Sequence, residues 1–429
     1  MNRQHGAISL MVTSLLLVAS LALSVASYRN IFFQIKRAQN EVISRQEHWL
    51  AEGGLECLYS QVQTSGIPTT PGNCNLEPGL TVSVTDEGGD KYRVESDYRH
   101  AKITKFLQGA GSLGAGAMQA SSDLYFHGGV SFSTPDPGEL GEQGWECVAV
   151  RYKKRFHPGE TVNNQGVIHG LLPSKGFNNR GKDCASDHFS QNVGMGKQRK
   201  KDFVLDPNVT PFKDFFGVSP EQHDRIRDGG TFKRVNGTVA AAGKPKVLEN
   251  CGKRLEELIR LGKHRIWIEG GCEIKSTVYE ALVEATEATE DGVLIVVHDG
   301  VLSIMGAPEP EKPEKGENTG TEQKISARFK GVLFHFNHDY TPTKADWKGL
   351  NAYNELYFSN SVIENSYRQN AAYYQHGSFS VSGAQYFDTP NQSSIFNMAL
   401  NFSFNGDVVD EAISAYAKPK WVAGSWHDF

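Results

Sequence analysis

The sequence lacks the short motifs that mark the common enzyme classes. No serine nucleophile elbow, His-Glu-x-x-His zinc motif, P-loop or dinucleotide fingerprint stands in a context that would support it. Scattered serine, histidine and aspartate residues leave open an active site that folding assembles. Since nothing positive indicates one, we expect a protein that is not an enzyme, with no catalytic residues and no cofactor.

The chain also lacks an excess of positive charge. It carries 44 Lys and Arg against 49 Asp and Glu, and a net charge of −5 argues against a basic nucleic-acid-binding domain. Two short cationic runs remain, at 153–155 and 197–201. If folding clusters their side chains, they could hold an anionic surface such as DNA or a polysaccharide. The candidates are Lys197, Arg199, Lys200 and Lys201, and two solvated loops are the simpler interpretation.

No Cys-x-x-Cys motif is present, and no histidine cluster at zinc-like spacing accompanies the six cysteines. Metal binding is therefore a poor interpretation, and we expect no metal site. An even number of cysteines downstream of an export signal favours disulfides. Many connectivities are open, and unpaired buried thiols are the alternative. We predict bonds between sequential neighbours: Cys57 with Cys74, Cys147 with Cys184, and Cys251 with Cys272.

Charge is absent altogether from Ala7 to Ser27, and no proline follows until Pro68. At roughly 1.5 Å per residue, a helix over the uncharged run covers about 30 Å, the thickness of a bilayer's hydrocarbon core. An apolar stripe then continues along one helix face and needs a partner; its residues are Ile31, Ile35, Ala38 and Val42. A cleaved secretory signal and a plain single-span anchor are two interpretations of this stretch.

A third interpretation rests on resemblance. The basic leader Met1 to Gly6 (MNRQHG), followed by Ala7 to Met11 (AISLM) and the apolar helix, resembles the class III signal of type IV pilins and type II secretion pseudopilins. The resemblance implies that a prepilin peptidase cuts after Gly6 and leaves Ala7 as the new N-terminus. Most members carry glutamate at the fifth residue after the cut, whereas this chain has Met11.

The missing glutamate is itself a feature of the PilX and GspK group of minor pilins, which this chain resembles. Trp49 to Glu56 (WLAEGGLE) is similar to the signature at the end of the long helix in that group, and Trp421 to Phe429 (WVAGSWHDF) is similar to the tail of its large members. The resemblance implies assembly with other minor pilins and the major pilin through the helix. It also implies a single inner-membrane span with a periplasmic domain, then a place in the pilus, with Met11 favouring the tip.

The fold class that we expect is α+β. Three runs of alternating apolar and polar residues, 80–85, 91–98 and 101–107, predict a small antiparallel meander that packs on the helix, which is the pilin architecture. The expected organisation is a leader at 1–6, the helix at 7–62, the meander at 63–108, a Gly-rich linker at 109–119 and a large β-rich domain at 120–429.

Short strand-like runs with glycine at their edges predict a β-solenoid or a sandwich for the large domain. We place helices at 253–261 and 277–289, and an exposed loop at 307–323. The predicted strands are 166–172, 231–239, 265–269, 292–298, 300–304, 331–336, 378–382 and 401–404.

Two further patterns invite a functional interpretation. His335, Asn337 and His338 lie close in sequence, but alternate residues of a strand point to opposite faces, so one metal ion would not easily collect all three. The aromatic stretches 351–358 and 371–379 predict a carbohydrate-stacking face or, more simply, a packed core.

A role in pilus assembly or initiation is our leading hypothesis, with an adhesive domain presented at the tip. Two alternatives remain open. One is a tip pseudopilin of the K type from type II secretion. The other is an exported β-rich adhesin or carbohydrate-binding protein with an ordinary signal peptide, whose mature chain would start near Ser27.

Overall fold

The computed structural model describes residues 5–65, 74–75, 77–88, 91–108, 116–159, 161–169, 171–194, 196, 199–238, 246–306, 328–359, 363–377, 379–398, 400–416, 420–422 and 427–428. These residues form two units. The first comprises the described residues up to 87, from 91 to 108 and from 420 onward, and the second comprises those from 116 to 416. The predicted loop 307–323, most of the predicted linker and Lys197 lie outside the described residues.

The first unit is organised around one long helix, α1 (His5–Ser65). Its sequence contains no proline, so the backbone hydrogen-bond ladder is uninterrupted. Three strands follow: β1 (Leu80–Gly88), β2 (Lys91–Tyr98) and β3 (Ala101–Gln108). The strands lie in the order β1-β2-β3, and β2 and β3 pair antiparallel, as the alternating pattern predicts.

The core of the first unit lies between the last third of α1 and the sheet. Leu55 and Leu58 of the helix are fully buried together with Val94, Ile103 and Leu107 of the strands. Alternation in β2 and β3 places these apolar side chains on one face of the sheet, and this face packs against the helix. The first unit is thus a long helix whose C-terminal third packs against a small sheet.

The second unit is built from short strands and contains almost all of the remaining β-structure. Its strands are β4 (Met118–Ala120), β5 (Asp123–His127), β6 (Val130–Thr134), β7 (Val150–Tyr152), β8 (Phe156–Pro158), β9 (Val162–Asn164), β10 (Phe203–Leu205), β11 (Lys233–Asn236), β12 (Val247–Leu248), β13 (Arg265–Glu269), β14 (Gly271–Ile274), β15 (Val293–His298), β16 (Leu302–Met305), β17 (Phe329–Phe336), β18 (Ala371–His376), β19 (Phe379–Asp388), β20 (Ser393–Asn397) and β21 (Leu400–Phe404).

Seven α-helices occur among the described residues of this unit. They are α2 (Pro211–Phe216), α3 (His223–Arg227), α4 (Cys251–Arg260), α5 (Ser276–Glu287), α6 (Ala352–Asn354), α7 (Asn365–Arg368) and α8 (Gly406–Ile413). Short 3₁₀ turns lie at Ser186–His188, Pro220–Gln222 and Lys344–Trp347, and Glu355–Ser359 is a π-helical turn.

From β11 to β20, consecutive strands alternate between two sheets, and each strand pairs with the strand two places along the chain. Every described pair in these sheets is parallel. One row of aligned residues in the first sheet is Lys233, Ile266, Ile295, Leu333, Gln385, Met118, Val150 and Phe203. This pairing differs from a sandwich of hairpins, which would pair its strands antiparallel.

The spatial order of the strands differs from their order in the chain. β19 pairs with β4, β20 with β5 and β21 with β6, so the last strands of the unit lie directly beside the first ones. β7, β8 and β9 then extend the sheets beyond β4, β5 and β6, and β10 follows β7. In the two sheets, β19 therefore lies between β17 and β4, and β20 lies between β18 and β5.

This order obliges residues 206–232 to run back along the first sheet from β10 to β11. α2 lies on that path and packs its aromatic side chains onto the sheet. The Phe212 ring lies 4.3 Å from that of Phe336, and the Phe215 ring lies 4.9 Å from that of Tyr386. The Phe212 amide also donates a hydrogen bond to Asp388. These residues belong to the main core of the unit, so the return segment is part of the fold.

Disulfides join the three predicted pairs of neighbours, with Cα atoms 5.6, 5.5 and 5.4 Å apart. Cys57–Cys74 lies in the first unit. Cys147–Cys184 lies in a small cluster with Trp145 and Val167, and Cys251–Cys272 ties the start of α4 to β14. Each bond restricts the unfolded chain and so favours the folded state.

The structure differs from the sequence analysis at three places. The described residues of the predicted strand 166–172 form no strand, because Gly166 adopts a left-handed turn at φ 76° and the Val167 amide binds the Asp183 carboxylate. Residues 116–119 of the predicted linker are buried, and Met118 begins β4. The end of the chain, assigned to the large domain, pairs instead with β3 through β22 (Lys420–Trp421) and β23 (His427–Asp428).

Candidate functional site

The N-terminal two thirds of α1 is the largest exposed apolar surface among the described residues. From Ala7 to Arg45 every side chain is exposed. The most apolar window has a mean hydropathy of 2.3, and none of it is buried. By length and composition this helix could cross a membrane, and an export signal would have the same properties.

Four polar side chains within the uncharged run, those of Thr13, Ser14, Ser20 and Ser24, donate hydrogen bonds to carbonyls of the helix itself. The Thr13 hydroxyl donates to the Ser9 carbonyl at 3.0 Å, Ser14 donates to Met11 at 2.9 Å, and Ser24 donates to Ser20 at 2.9 Å. Unsatisfied hydroxyls would be costly in hydrocarbon. The local hydrogen bonds therefore make the run compatible with lipid despite its serines and threonine.

The predicted stripe beyond the run is exposed as well. Ile31, Ile35 and Val42 are each at least 50 % exposed. Arg37, Arg45 and Glu41 lie among these side chains, and Arg45 donates to Glu41 at 2.7 Å. A stripe of this kind, extending past the length that lipid covers, is typical of a helix that packs against other helices.

Met11 lies near the N-terminal end of this exposed surface and is 68 % exposed. The first acidic residue of the whole chain is Glu41, thirty positions further on. The apolar half of α1 therefore offers no carboxylate to a neighbouring helix. Gly6 and Ala7, the residues of the predicted cleavage site, lie in the first turns of α1.

The signature Trp49 to Glu56 marks where the helix meets its sheet. A Cβ atom on Gly54 would lie 2.7 Å from the Ser96 hydroxyl and 2.8 Å from a Val82 methyl group, so only glycine permits this approach. Leu55 is fully buried beside it. Lys105 of β3 lies 3.7 Å from a carboxylate oxygen of Glu52. In this chain the signature is therefore a helix–sheet docking surface.

The tail completes the same surface. The Trp421 ring stacks on that of Tyr59 at 5.1 Å with an interplanar angle of 20°. Lys105 lies over the indole at 5.4 Å, and the Val422 amide donates to the Phe106 carbonyl. The two motifs that carry the family resemblance thus meet in one unit, although more than 360 residues separate them in the chain.

The predicted cationic surface is engaged within the protein where the structure describes it. Arg199 donates to the Phe156 carbonyl at 2.8 Å and lies over the Phe156 ring, while Lys200 donates to the Ser186 carbonyl. Lys201 forms an ion pair with Asp187 at 2.7 Å. The guanidinium of Arg155, in the other run, is held by Asp123.

The three residues of the predicted polar motif near β17 point to different surroundings. His335 is completely buried, and its Nε2 donates to the Gly300 carbonyl at 2.8 Å. Asn337 binds Gln392, and the His338 ring lies 5.4 Å from that of His223. Within the described ranges, no group of three or more His, Cys, Asp or Glu side chains is arranged to hold a metal ion.

A histidine–carboxylate cluster that the sequence analysis missed lies at the ends of β13 and β15. His298 Nδ1 lies 3.0 Å from a Glu269 carboxylate oxygen, and the His223 ring lies 4.7 Å from that of His298. Burial opposes ionisation of Glu269, but the hydrogen bond with His298 and the charge of Arg227 outweigh it and lower the pKa of that carboxyl. The register that aligns Glu269 with His298 is the only signal for this pair, and it is not visible in sequence.

Protonation of His335 is expected to destabilise the second unit at mildly acidic pH. Burial lowers the pKa of His335 to about 4, since within the described ranges Nδ1 has no hydrogen-bond partner and a charge there would be unpaired. Below pH 6.5 the unfolded state therefore takes up a proton before the folded state does. Stability should be full above about pH 6.5 and fall by about 1.4 kcal/mol per pH unit between about 6.5 and 4.

Urea unfolding at several pH values, followed by tryptophan fluorescence on the full-length protein in detergent, measures this slope. His335→Gln should flatten it, whereas His169→Gln, which changes an exposed histidine, should keep the wild-type slope. Equal slopes for both variants would contradict the assignment.

Comparison with protein-family models, with curated proteins and with solved structures finds no match to this chain. The functional interpretation therefore depends on the motifs and on the geometry described above.

Proposed function

We propose that this chain is a large minor-pilin-like subunit that acts in type IV pilus assembly or initiation. In this proposal α1 inserts into the inner membrane, is cut after Gly6 by a prepilin peptidase, and then packs against the helices of other minor pilins and the major pilin. The second unit, whose parallel strands we propose to close into a β-solenoid, is presented at the cell surface.

One observation carries the proposal: α1 has an exposed apolar part and a part that is buried against the small sheet. Residues 7–45 expose their side chains, whereas Ala51, Leu55 and Leu58 are completely buried under the small sheet. A plain anchor needs only the uncharged run, so it leaves the exposed stripe of Ile31, Ile35 and Val42 unexplained. Packing among similar helices would cover both parts.

The missing carboxylate suggests where such a subunit would sit. In the families that the chain resembles, the glutamate neutralises the N-terminal amine of an adjacent subunit. A subunit with Met11 lacks that attraction to the subunit beneath it, and a tip position, which needs no subunit above, suits the chain best. A K-type pseudopilin of type II secretion would share this feature.

The location of the protein tests the proposal. Filaments sheared from the cell surface should contain the chain in wild-type cells, and antibody labelling should mark filament ends. Gly6→Val, which blocks the proposed cleavage site, should leave the protein in the membrane and remove it from the filaments. Loss from the filaments on deletion of the type II secretion system, but not of the pilus system, would support the pseudopilin alternative. Release of the protein into the medium as a free chain would contradict both.

A further inference from the structure

One long excursion from the two sheets of the second unit connects β17 to β18 and spans residues 337–370. Two of the turns between consecutive strands are much shorter: Gly270 alone connects β13 to β14, and residues 299–301 connect β15 to β16. Long insertions in a regular stack lie on its surface and often carry its binding function.

This excursion is well packed. Trp347, Leu356 and Ile363 are completely buried against Tyr374 and Ile395 of the second sheet. The Trp347 indole donates to the Ala371 carbonyl at 3.0 Å, and the Ala352 amide donates to the Glu273 carboxylate at 3.1 Å. A loop fixed in this way can hold side chains in position before a ligand arrives.

A groove of about 630 Å³ opens between the two ends of the excursion. Its lining consists of Thr341 to Lys344, Tyr357, Asn365, and Arg368 to Asn370. Among the described residues the lining includes two cations, three amide side chains and no carboxylate, although the protein as a whole is acidic. Tyr357 lies on the π-helical turn Glu355–Ser359, a type of distortion frequent at functional sites.

The two cations are not neutralised within the part of the chain that the structure describes. The Lys344 ammonium lies over the Tyr357 ring at 5.0 Å and the Phe358 ring at 4.6 Å. The Arg368 Nε atom is buried and has no hydrogen-bond partner among the residues that the structure describes. Asp346, the nearest carboxylate in sequence to Lys344, accepts hydrogen bonds from the Thr343 amide and hydroxyl.

We infer that this groove binds an acidic oligosaccharide. The Arg368 guanidinium can donate to a carboxylate or sulfate, and Lys344 adds a second positive charge. The side chains of Asn365, Gln369 and Asn370 can pair with sugar hydroxyls. Phe358 is 63 % exposed and, with Tyr357, offers aromatic surface against which a sugar ring can stack.

A nucleic acid is a poorer match for the same groove. A longer polyanion needs a continuous row of phosphate contacts. The described cations Arg199, Lys200 and Lys201 are engaged within the protein, and the net charge of −5 repels a long polyanion. Presentation on a filament, as proposed above, would make such a site adhesive. The binding itself does not depend on it, so either proposal can fail alone.

Calorimetric titration of the full-length protein in detergent tests the inference. The probes are trigalacturonate for a carboxylated ligand, a heparin hexasaccharide for a sulfated one, maltohexaose for a neutral one, and a single-stranded oligonucleotide. Binding of either acidic saccharide, with weakening as salt rises, is the expected result. The acidic saccharide that binds more tightly shows whether the groove prefers a carboxylate or a sulfate group. Failure of both acidic probes, equal binding of maltohexaose, or binding of the oligonucleotide alone would overturn the inference.

Variants locate the binding. Lys344→Gln and Arg368→Gln should each weaken binding of the acidic saccharide about tenfold, because each removes a charge-assisted contact. Arg368→Lys keeps the charge without the planar fork and should lie between wild type and Arg368→Gln. Lys263→Gln, which removes an exposed charge on another surface, should bind as wild type does. Thermal unfolding shows that each variant is folded, and wild-type affinity in all of the groove variants would contradict the site.

Discussion

Arginine at both Leu16 and Leu17 is expected to prevent stable membrane insertion of α1. The two leucines lie at the centre of the uncharged run and are 63 % and 69 % exposed. One arginine at the centre of a spanning helix costs about 2.5–3.5 kcal/mol on insertion scales. Two of them should exceed what the remaining apolar residues supply, so the protein should shift from the membrane pellet to the alkaline-soluble fraction.

The matched control adds the same charge beyond the run. Gln34 and Gln39 are exposed polar residues of the same helix, outside the stretch from Ala7 to Ser27. Gln34→Arg with Gln39→Arg should therefore leave membrane insertion unchanged. A Leu16→Arg and Leu17→Arg protein that still resists alkaline extraction would show that this run does not lie in lipid.

Alanine at Gly300 is expected to destabilise the second unit by at least about 3 kcal/mol, or to prevent soluble expression. A Cβ atom at this position would lie 2.1 Å from the Gly271 amide nitrogen and 2.3 Å from the Gly270 carbonyl carbon. Both are backbone atoms of the neighbouring turn, which a side-chain rotation cannot relieve. The turn between β15 and β16 would have to move away from the turn between β13 and β14.

Gly129→Ala adds the same methyl group where the nearest atom, the Thr161 hydroxyl oxygen, is 4.0 Å away. It should change the free energy of unfolding by less than about 1 kcal/mol. Chemical denaturation of both variants measures the difference. Equal stability of Gly300→Ala and Gly129→Ala would mean that the two turns do not stack as closely as the structure places them.

The elements that sequence predicted well are those encoded by local pattern. The long helix, the strands of the meander and α4 and α5 follow from apolar periodicity, and Arg265–Glu269 matches the predicted strand in full. The stacking order could not be predicted, because Gln385 aligns with Met118 across more than 260 residues and no local signal encodes that pairing. The combination of a long N-terminal helix with a β-rich region was accordingly predictable, and the order of the strands in the sheets was not.

Local sequence pattern gave the wrong secondary structure where a contact with a residue outside the segment decides the conformation. The apolar run 166–172 looks like a strand, yet Asp183 binds the Val167 amide and fixes a turn there. Of the two aromatic stretches, 371–376 forms a buried strand as core packing predicts, whereas 351–358 forms helical turns. Phe358 is consequently exposed, on the same π-helical turn as the groove residue Tyr357.

Some residues of the candidate sites could be predicted from sequence, and others could not. The exposed apolar surface of α1 could be predicted from sequence because it lies on consecutive turns of one element. The roles of Gly6, Ala7 and Met11 follow only from the resemblance and stay predictions. Lys344 and Arg368 could not, because neither belongs to a charge run and only the folded excursion places both at one groove. The run at 197–201, which looked like a binding surface, is engaged by nearby carbonyls and a carboxylate where it is described.

The N-terminal residue of the mature protein tests the central claim most directly. Mass spectrometry of the purified protein, from cells with and without the prepilin peptidase, should find Ala7 as the first residue only when the peptidase is present. Peptidase-independent removal of the whole apolar run, with a start near Ser27, would contradict the account and indicate an exported β-rich protein. An uncut chain beginning at Met1 in both strains would contradict it as well and indicate a simple membrane anchor.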